Sequence, residues 1–254
     1  MMAGRSKLST NDVPYLADKQ IEREADLLLA EYCEEFEPIS KPPVPIDEIA
    51  DAHLQLKLEF RDLTPLFAFA DVHGAIWFSE KRIGITPQLD PTTNPNRRGR
   101  YHFTLAHEVG HWRLHRSHYL GRRAERRLFA DGMPEPDVVC RSSEKKKRVE
   151  WQANAFAACL LMPRKLIYAA WADFRGNDDP VLLGDLRDQF PHLVLAGKLS
   201  IGGTCAMSEE EIDNSVKEEF CRPFADTFQV SPEAMRYRLE DLKLIVKEKP
   251  AMLF

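Results

Sequence analysis

The chain has 254 residues, 44% of them hydrophobic and 30% charged, enough to bury one large core or two modest ones. A formal net charge of −5 gives no whole-molecule attraction to nucleic acid or an anionic membrane, and no apolar run approaches the roughly 18 residues that span a bilayer. The first ten residues lack the apolar centre of a signal peptide, and the five cysteines (Cys33, Cys140, Cys159, Cys205, Cys221) are scattered with no C-x-x-C pair, so a cytoplasmic, thiol-reducing setting is expected.

Residues 1–16 are polar, contain Pro14, and are expected to be flexible. From Asp18 to Phe36 the apolar positions Ile21, Ala25, Leu28, Leu29, Tyr32 and Phe36 recur at three and four, which predicts an amphipathic helix with an acidic outer face. Pro38 and the Pro42-Pro43-Val44-Pro45 run stop it, and Asp47 is placed to cap a short helix reaching His53. Leu54, Leu56, Leu58 and Phe60 alternate with polar residues, the period of a strand buried on one face. Leu66–Ala70 and Ala75–Ser79 read as a hairpin turning at Asp71-Val72-His73-Gly74, with a further short strand at Ile83–Thr86. Strands followed by helices imply an α+β layer with a helix packed on a small sheet.

That helix is predicted to begin between Arg98 and Tyr101 and to run to about His115, and it is apolar on most sides, hence buried. It carries H-E-x-x-H: His107 and His111 stand one turn apart on one face, roughly 6 Å along the axis, a suitable bite for one tetrahedral zinc. Glu108 lies about 100° further round, beside such an ion and placed to take a proton from water there. Gly110 weakens the helix by up to about 1 kcal/mol relative to alanine, a cost that close approach of another element would offset. A third ligand must come from elsewhere. His115 lies about 12 Å along the helix from His107, too far to share the ion. His118 is one residue out of register for a third histidine six residues after the second, and His102 is read as a bystander.

The interval 113–148 holds eleven Lys or Arg against five Asp or Glu, either a solvated insertion or a dock for an acidic partner or for nucleic acid. Beyond it, Val149–Met162 is an alanine-rich helix ending before Pro163. Glu150 and Asn154 share one of its faces, while Ala153, Ala157 and Ala158 are small enough to let a neighbour, Gly110 among the candidates, come close. Glu150 could complete a His₂Glu site, with Asn154 bonding a ligand imidazole, or it could be a first-turn surface carboxylate; spacing alone leaves these level, with Glu144 as the alternative ligand. Arg164–Phe174 continues as a helix. From Val181 the chain reads as a smaller helical region with a Gly-rich loop at Gly197–Gly203, ending in helix, turn and helix over Phe220–Leu244 with Ser231-Pro232 as cap and first position. Arg236 and Arg238 there could meet phosphates, but Glu233, Glu240 and Asp241 oppose DNA, so packing is the preferred reading.

Y-H-F-T-L-A-H-E-V-G-H-W-R-L-H at 101–115, with E-W-Q-A-N-A-F-A-A-C-L-L-M-P at 150–163, resembles the ImmA/IrrE family of bacterial metallopeptidases. P-P-V-P-I-D-E-I-A at 42–50 and the V-S-x-x-A-M-x-x-R-L segment at 230–239 are similar to other parts of that family. The resemblance covers roughly residues 17–170 and implies a zincin-like metallopeptidase domain at 17–175, carrying the basic insertion, followed by a mainly helical region at 176–254. It implies His107, His111 and Glu150 as ligands of Zn²⁺, with Mn²⁺ as the alternative ion, and Glu108 as the catalytic base. The expected activity is that of a zinc-dependent endopeptidase. Its expected substrate is a helix-turn-helix repressor or antitoxin-like regulator, cut in stress response or mobile-element control. The rival expectation is a metal-containing regulatory protein that binds DNA or a partner without proteolysis.

Overall fold

Ile21, Ala25, Leu28 and Tyr32 are all buried, and their spacing of three and four is what commits Asp18–Glu35 to a helix (α1) with one face inward. In this computed structural model the described residues are 13–64, 72–126, 138–141, 148–199 and 206–247. They divide into two compact units at Leu161/Met162, with Ser40–Pro43 grouped with the second.

In the first unit α1 is followed by a single helical turn (α2, Ile46–Glu48) running into a π turn at Ile49–His53. Asp47, expected as the cap of this element, sits inside its first turn instead, and its carboxylate accepts a hydrogen bond from the Tyr101 hydroxyl. Four strands, β1 (Lys57–Phe60), β2 (Val72–Trp77), β3 (Arg82–Ile85) and β4 (Val138–Arg141), form one sheet in the order β1-β3-β2-β4. β1 runs parallel to β3, and β2 is antiparallel to both its neighbours.

The hairpin forms elsewhere than its turn chemistry suggested. Val72, His73 and Gly74 lie within β2, and the chain reverses at Phe78–Glu80 with Lys81 in the left-handed region at φ 49°. The expected strand at 66–70 falls outside the described residues. β2 is apolar on both faces: Ala75 and Trp77 pack with Leu63 and Val72, while Gly74 faces Thr104 and Glu108. A strand covered on both sides loses the alternation that marks a one-sided strand. Gly74 marks a close approach rather than a turn.

The next helix, α3 (Arg98–Arg126), continues well past His115 into the basic interval, and α4 (Arg148–Leu161) packs along it. A Cβ built on Gly110 would lie 3.2 Å from the Ala153 carbonyl oxygen, 3.3 Å from Ala153 Cα and 3.1 Å from Phe156 Cδ1. The missing side chain therefore lets two helix backbones meet. Arg113 bonds Glu31 through both terminal nitrogens at 2.7 Å and Glu24 through Nε at 3.0 Å, tying α1 to α3 and holding the Glu31 carboxyl below the usual range.

The second unit contains α5 (Arg164–Arg175), β5 (Val181–Leu182), α6 (Leu183–Gln189), α7 (Pro191–Lys198), α8 (Glu209–Phe228), α9 (Pro232–Asp241) and β6 (Ile245–Val246). Trp171 of α5, which the sequence reading kept with the first domain, packs here against Phe220 and Phe224. Ser208 and Glu211 form a capping box at the start of α8, and Ser231 caps α9 by accepting from the Ala234 amide. β5 and β6 pair in parallel, a contact between distant residues that local pattern does not reveal. Arg236 and Arg238 are buried within this unit. Arg236 pairs with Glu218 and Glu240, while Arg238 donates to the Met162 carbonyl and pairs with Asp241. The whole is α+β. Among the described residues no single helix is long and apolar enough to cross a membrane.

Because a packed backbone carbonyl has little room to yield, Gly110→Leu should cost about 1–3 kcal/mol by overpacking. The check is a lower denaturant midpoint at unchanged slope. A midpoint at or above that of the unsubstituted protein would show that α4 can move aside.

Candidate metal centre

The helical turn that separates His107 from His111 brings their Nε2 atoms to 2.9 Å from each other. α4 supplies Glu150, whose Oε2 lies 3.3 Å from His107 Nε2 and whose Oε1 lies 3.6 Å from His111 Nε2. These three are the group that could hold a metal ion among the described residues, their ligand atoms all within 4.8 Å of one another. Donors about 2.0–2.1 Å from one tetrahedral ion stand about 3.3 Å apart, and the three observed separations bracket that value. All three side chains are buried, Glu150 at 2% exposure and His111 at 0%. Two imidazoles and a carboxylate form a donor set that suits zinc.

A ligating imidazole must be neutral, and burial favours that form at His111. Burial holds the His111 pKa well below its ordinary value, with His107 and His115 adding to the effect. Burial likewise pushes His115 down to about 4. His107 Nδ1 lies 2.9 Å from Asn154 Oδ1. An amide oxygen only accepts, so His107 carries its proton on Nδ1 and turns the lone pair of Nε2 towards Glu150 and His111.

Glu108 is fully buried and neither of its carboxylate oxygens has a hydrogen-bond partner. Desolvation pushes its pKa up to about 8, with Glu150 adding and His107 opposing. This carboxyl, next in sequence to His107, is thus a buried polar group that the hydrogen bonding of the described residues leaves unsatisfied. Gly74 of β2 makes its position feasible: a Cβ there would lie 2.5 Å from Glu108 Oε1 and 2.9 Å from Thr104 Cγ2. Sequence reasoning missed this residue because it took the glycine for a turn. The available signal was a glycine inside an otherwise apolar run.

Other candidates are placed elsewhere. Tyr101 and His102, the latter read as a bystander, face α2: the Tyr101 hydroxyl donates to Asp47, and His102 Nε2 lies 3.9 Å from the other oxygen of that carboxylate. Glu144, the alternative ligand, lies outside the described residues. His115 is outside the ligand group, yet its Nδ1 is 3.0 Å from His111 Nδ1, a contact that the argument from ligand distance alone passed over. Among the described residues β3 and β2 are internal strands, and the edges of the sheet are β1 and β4.

Residues 81–190 match the family model described as Peptidase_M78, the IrrE N-terminal-like domain, a span that contains His107, Glu108, His111, Glu150 and Asn154. No curated protein matches the chain.

The raised Glu108 pKa sets a sign for stability in protein stripped of metal by a chelator. Between its ordinary 4.5 and about 8, the folded carboxyl holds a proton that the unfolded one has lost, so stability falls as pH rises. From pH 5 to pH 8 the loss reaches up to about 4 kcal/mol at 1.36 kcal/mol per unit. Glu108→Gln removes this titration and should be stabilised relative to the unsubstituted protein increasingly towards pH 8. Denaturant titrations of both proteins across that range read the difference, and parallel pH profiles would refute it.

Proposed function

Starting from a chain that carries an ImmA/IrrE-type metallopeptidase domain across residues 81–190, we propose a zinc-dependent endopeptidase that cuts a single class of protein partner. The observation that carries this reading is the convergence of His107, His111 and Glu150 beside a buried Glu108 with no hydrogen-bond partner. When bound, a divalent cation at the three donors supplies Lewis acidity, polarising a carbonyl and making water a nucleophile near neutral pH. The chain supplies the proton handling. Glu108 has no competing hydrogen bond, so it is free to take a proton from the attacking water and return one to the departing amine. Gly74 leaves space for that carboxylate while β2 covers it.

The substrate we propose is a helix-turn-helix repressor or antitoxin-like regulator in the cytoplasm, cleaved to release transcription under stress or during mobile-element activation. Zinc is the ion of choice for this donor set, with manganese as the alternative. A metal-containing regulator without proteolysis is less well supported, because a structural site has no use for a buried carboxyl that bonds nothing. Its DNA-binding form also loses support, since Arg236 and Arg238 are paired inside the second unit. Within the basic interval, Arg113 is engaged by Glu24 and Glu31, and Arg116 stacks over Trp112 at 4.4 Å.

The test uses the purified protein with the helix-turn-helix regulator encoded beside it. Cleavage should need metal, and Glu108→Gln should retain stoichiometric metal while losing at least about 100-fold in rate. Glu150→Ala should lose metal affinity itself. A regulator left intact by metal-loaded protein, or cut equally by the Gln variant, would end the peptidase reading. Gly74→Ala provides an independent check: its methyl would displace Glu108, so cleavage should drop while metal content is unchanged.

A further inference from the structure

His115 is 1% exposed, lies one turn beyond His111 and is not in the ligand group, yet it joins a continuous buried chain of polar atoms. Its Nδ1 is 3.0 Å from His111 Nδ1, and its Nε2 is 2.9 Å from Gln152 Oε1. Gln152, itself 0% exposed, donates from Nε2 to the Pro14 carbonyl at 2.9 Å.

The direction of every bond follows from the far end. A carbonyl oxygen can only accept, so the Gln152 amide must turn its NH₂ to Pro14 and its oxygen to His115. That oxygen also only accepts, so His115 carries its proton on Nε2 and, as a neutral ring, has a lone pair on Nδ1. His111 must then donate from Nδ1. Its remaining lone pair is on Nε2, the atom 2.9 Å from His107 Nε2 and 3.6 Å from Glu150 Oε1.

We propose that His115 and Gln152 are positioning residues that fix the tautomer and ring orientation of His111, with the Pro14 carbonyl as the anchor that sets the polarity of the chain. For metal binding this rests on the reading of His111 as a ligand. The tautomer follows from the bonds on the Nδ1 side alone; on the other side it leaves two Nε2 lone pairs facing each other at 2.9 Å, which an ion between them would relieve. The anchor is held in place by its neighbours: Val13 is buried and its carbonyl accepts from Arg148 at 3.1 Å, and the Tyr15 ring stacks on Trp151 at 6.0 Å between centroids. Residues 13–15 thus bind the first turns of the helix that carries Glu150. Without the relay His111 can place its proton on either nitrogen, and the form with Nε2–H cannot ligate until that proton moves. Loss of such an outer partner lowers metal affinity by roughly 10–100-fold.

Two measurements test this. In chelator-treated, ¹⁵N-labelled full-length protein, imidazole ¹⁵N–¹H correlations should place the His111 proton on Nδ1 and the His115 proton on Nε2. Finding the His111 proton on Nε2 would overturn the proposal without any variant being made. In the second, zinc affinity is read by competition with a chelating indicator. His115→Leu should bind 10–100-fold more weakly, whereas His115→Gln, whose amide can accept from His111 and donate to Gln152, should recover most of the loss. Should His115→Leu fail to fold, Gln152→Leu takes its place with the same expectation. Zinc affinity equal to that of the unsubstituted protein in a folded leucine variant would also overturn it. If the unsubstituted protein binds no zinc, the ligand reading fails, while the NMR assignment still decides the relay.

Discussion

The contact between Gly110 and Ala153 is the constraint on which the rest of the first unit depends. A hydrogen in place of a side chain lets α3 and α4 approach until backbone faces backbone, with Ala153 Cα only 3.3 Å from where a Cβ would stand. Only at that separation can a short glutamate side chain on α4 come within 3.6 Å of both Nε2 atoms on α3. A longer interhelical distance would leave the two histidines as a buried, half-satisfied pair and return Glu150 to an ordinary first-turn role. The up to about 1 kcal/mol that glycine costs inside a helix is small beside what that geometry secures.

Bringing these groups together also creates local tension. A carboxyl with no hydrogen-bond partner, the His111 imidazole kept neutral by burial, the His107 ring and a further carboxylate share one buried volume. Each of these features lowers the stability of the protein when no cation is present, and a cation binding the folded state alone would restore it by mass action. The surrounding structure carries the load meanwhile. Arg113 clamps α1 to α3, Arg148 and Gln152 hold residues 13 and 14 against α4, and the sheet closes over Glu108 at Gly74. Local conflict at a site, offset by consistent packing around it, is the pattern expected where function competes with stability.

Features governed by local periodicity were legible in the sequence. α1 buries the residues its spacing named, α4 runs from Arg148 to Leu161 much as its alanines and Pro163 implied, and the face shared by Glu150 and Asn154 does turn to α3. What escaped depends on partners distant in sequence. Gly74 and Val72-His73 carry the composition of a turn, but a strand enclosed on both faces is also free of polar alternation, and only the position of α3 beneath it distinguishes the two. The parallel pairing of Val181 with Ile245 gives no local signal at all. His115 lies outside the ligand group, in keeping with its distance along the helix from His107, but that distance does not register its contact with His111 Nδ1.

That last point changes how α4 is understood. Glu150, Gln152 and Asn154 are alternate residues of one helix, and each meets a different atom of the histidine system: a facing pair of Nε2 atoms, the Nε2 of His115, and the Nδ1 of His107. The helix therefore supplies the negative donor and also both terminal acceptors that orient the imidazole protons outward. The two rings are polarised by different routes, His107 directly by an amide and His111 through an intervening ring, because successive histidines on α3 stand a full turn apart while α4 passes at a fixed distance. His115 spans the extra turn. On this account the third histidine and the two amides belong to the same device as the ligands, and the seating of one helix on Gly110 sets the donor geometry and the proton arrangement together.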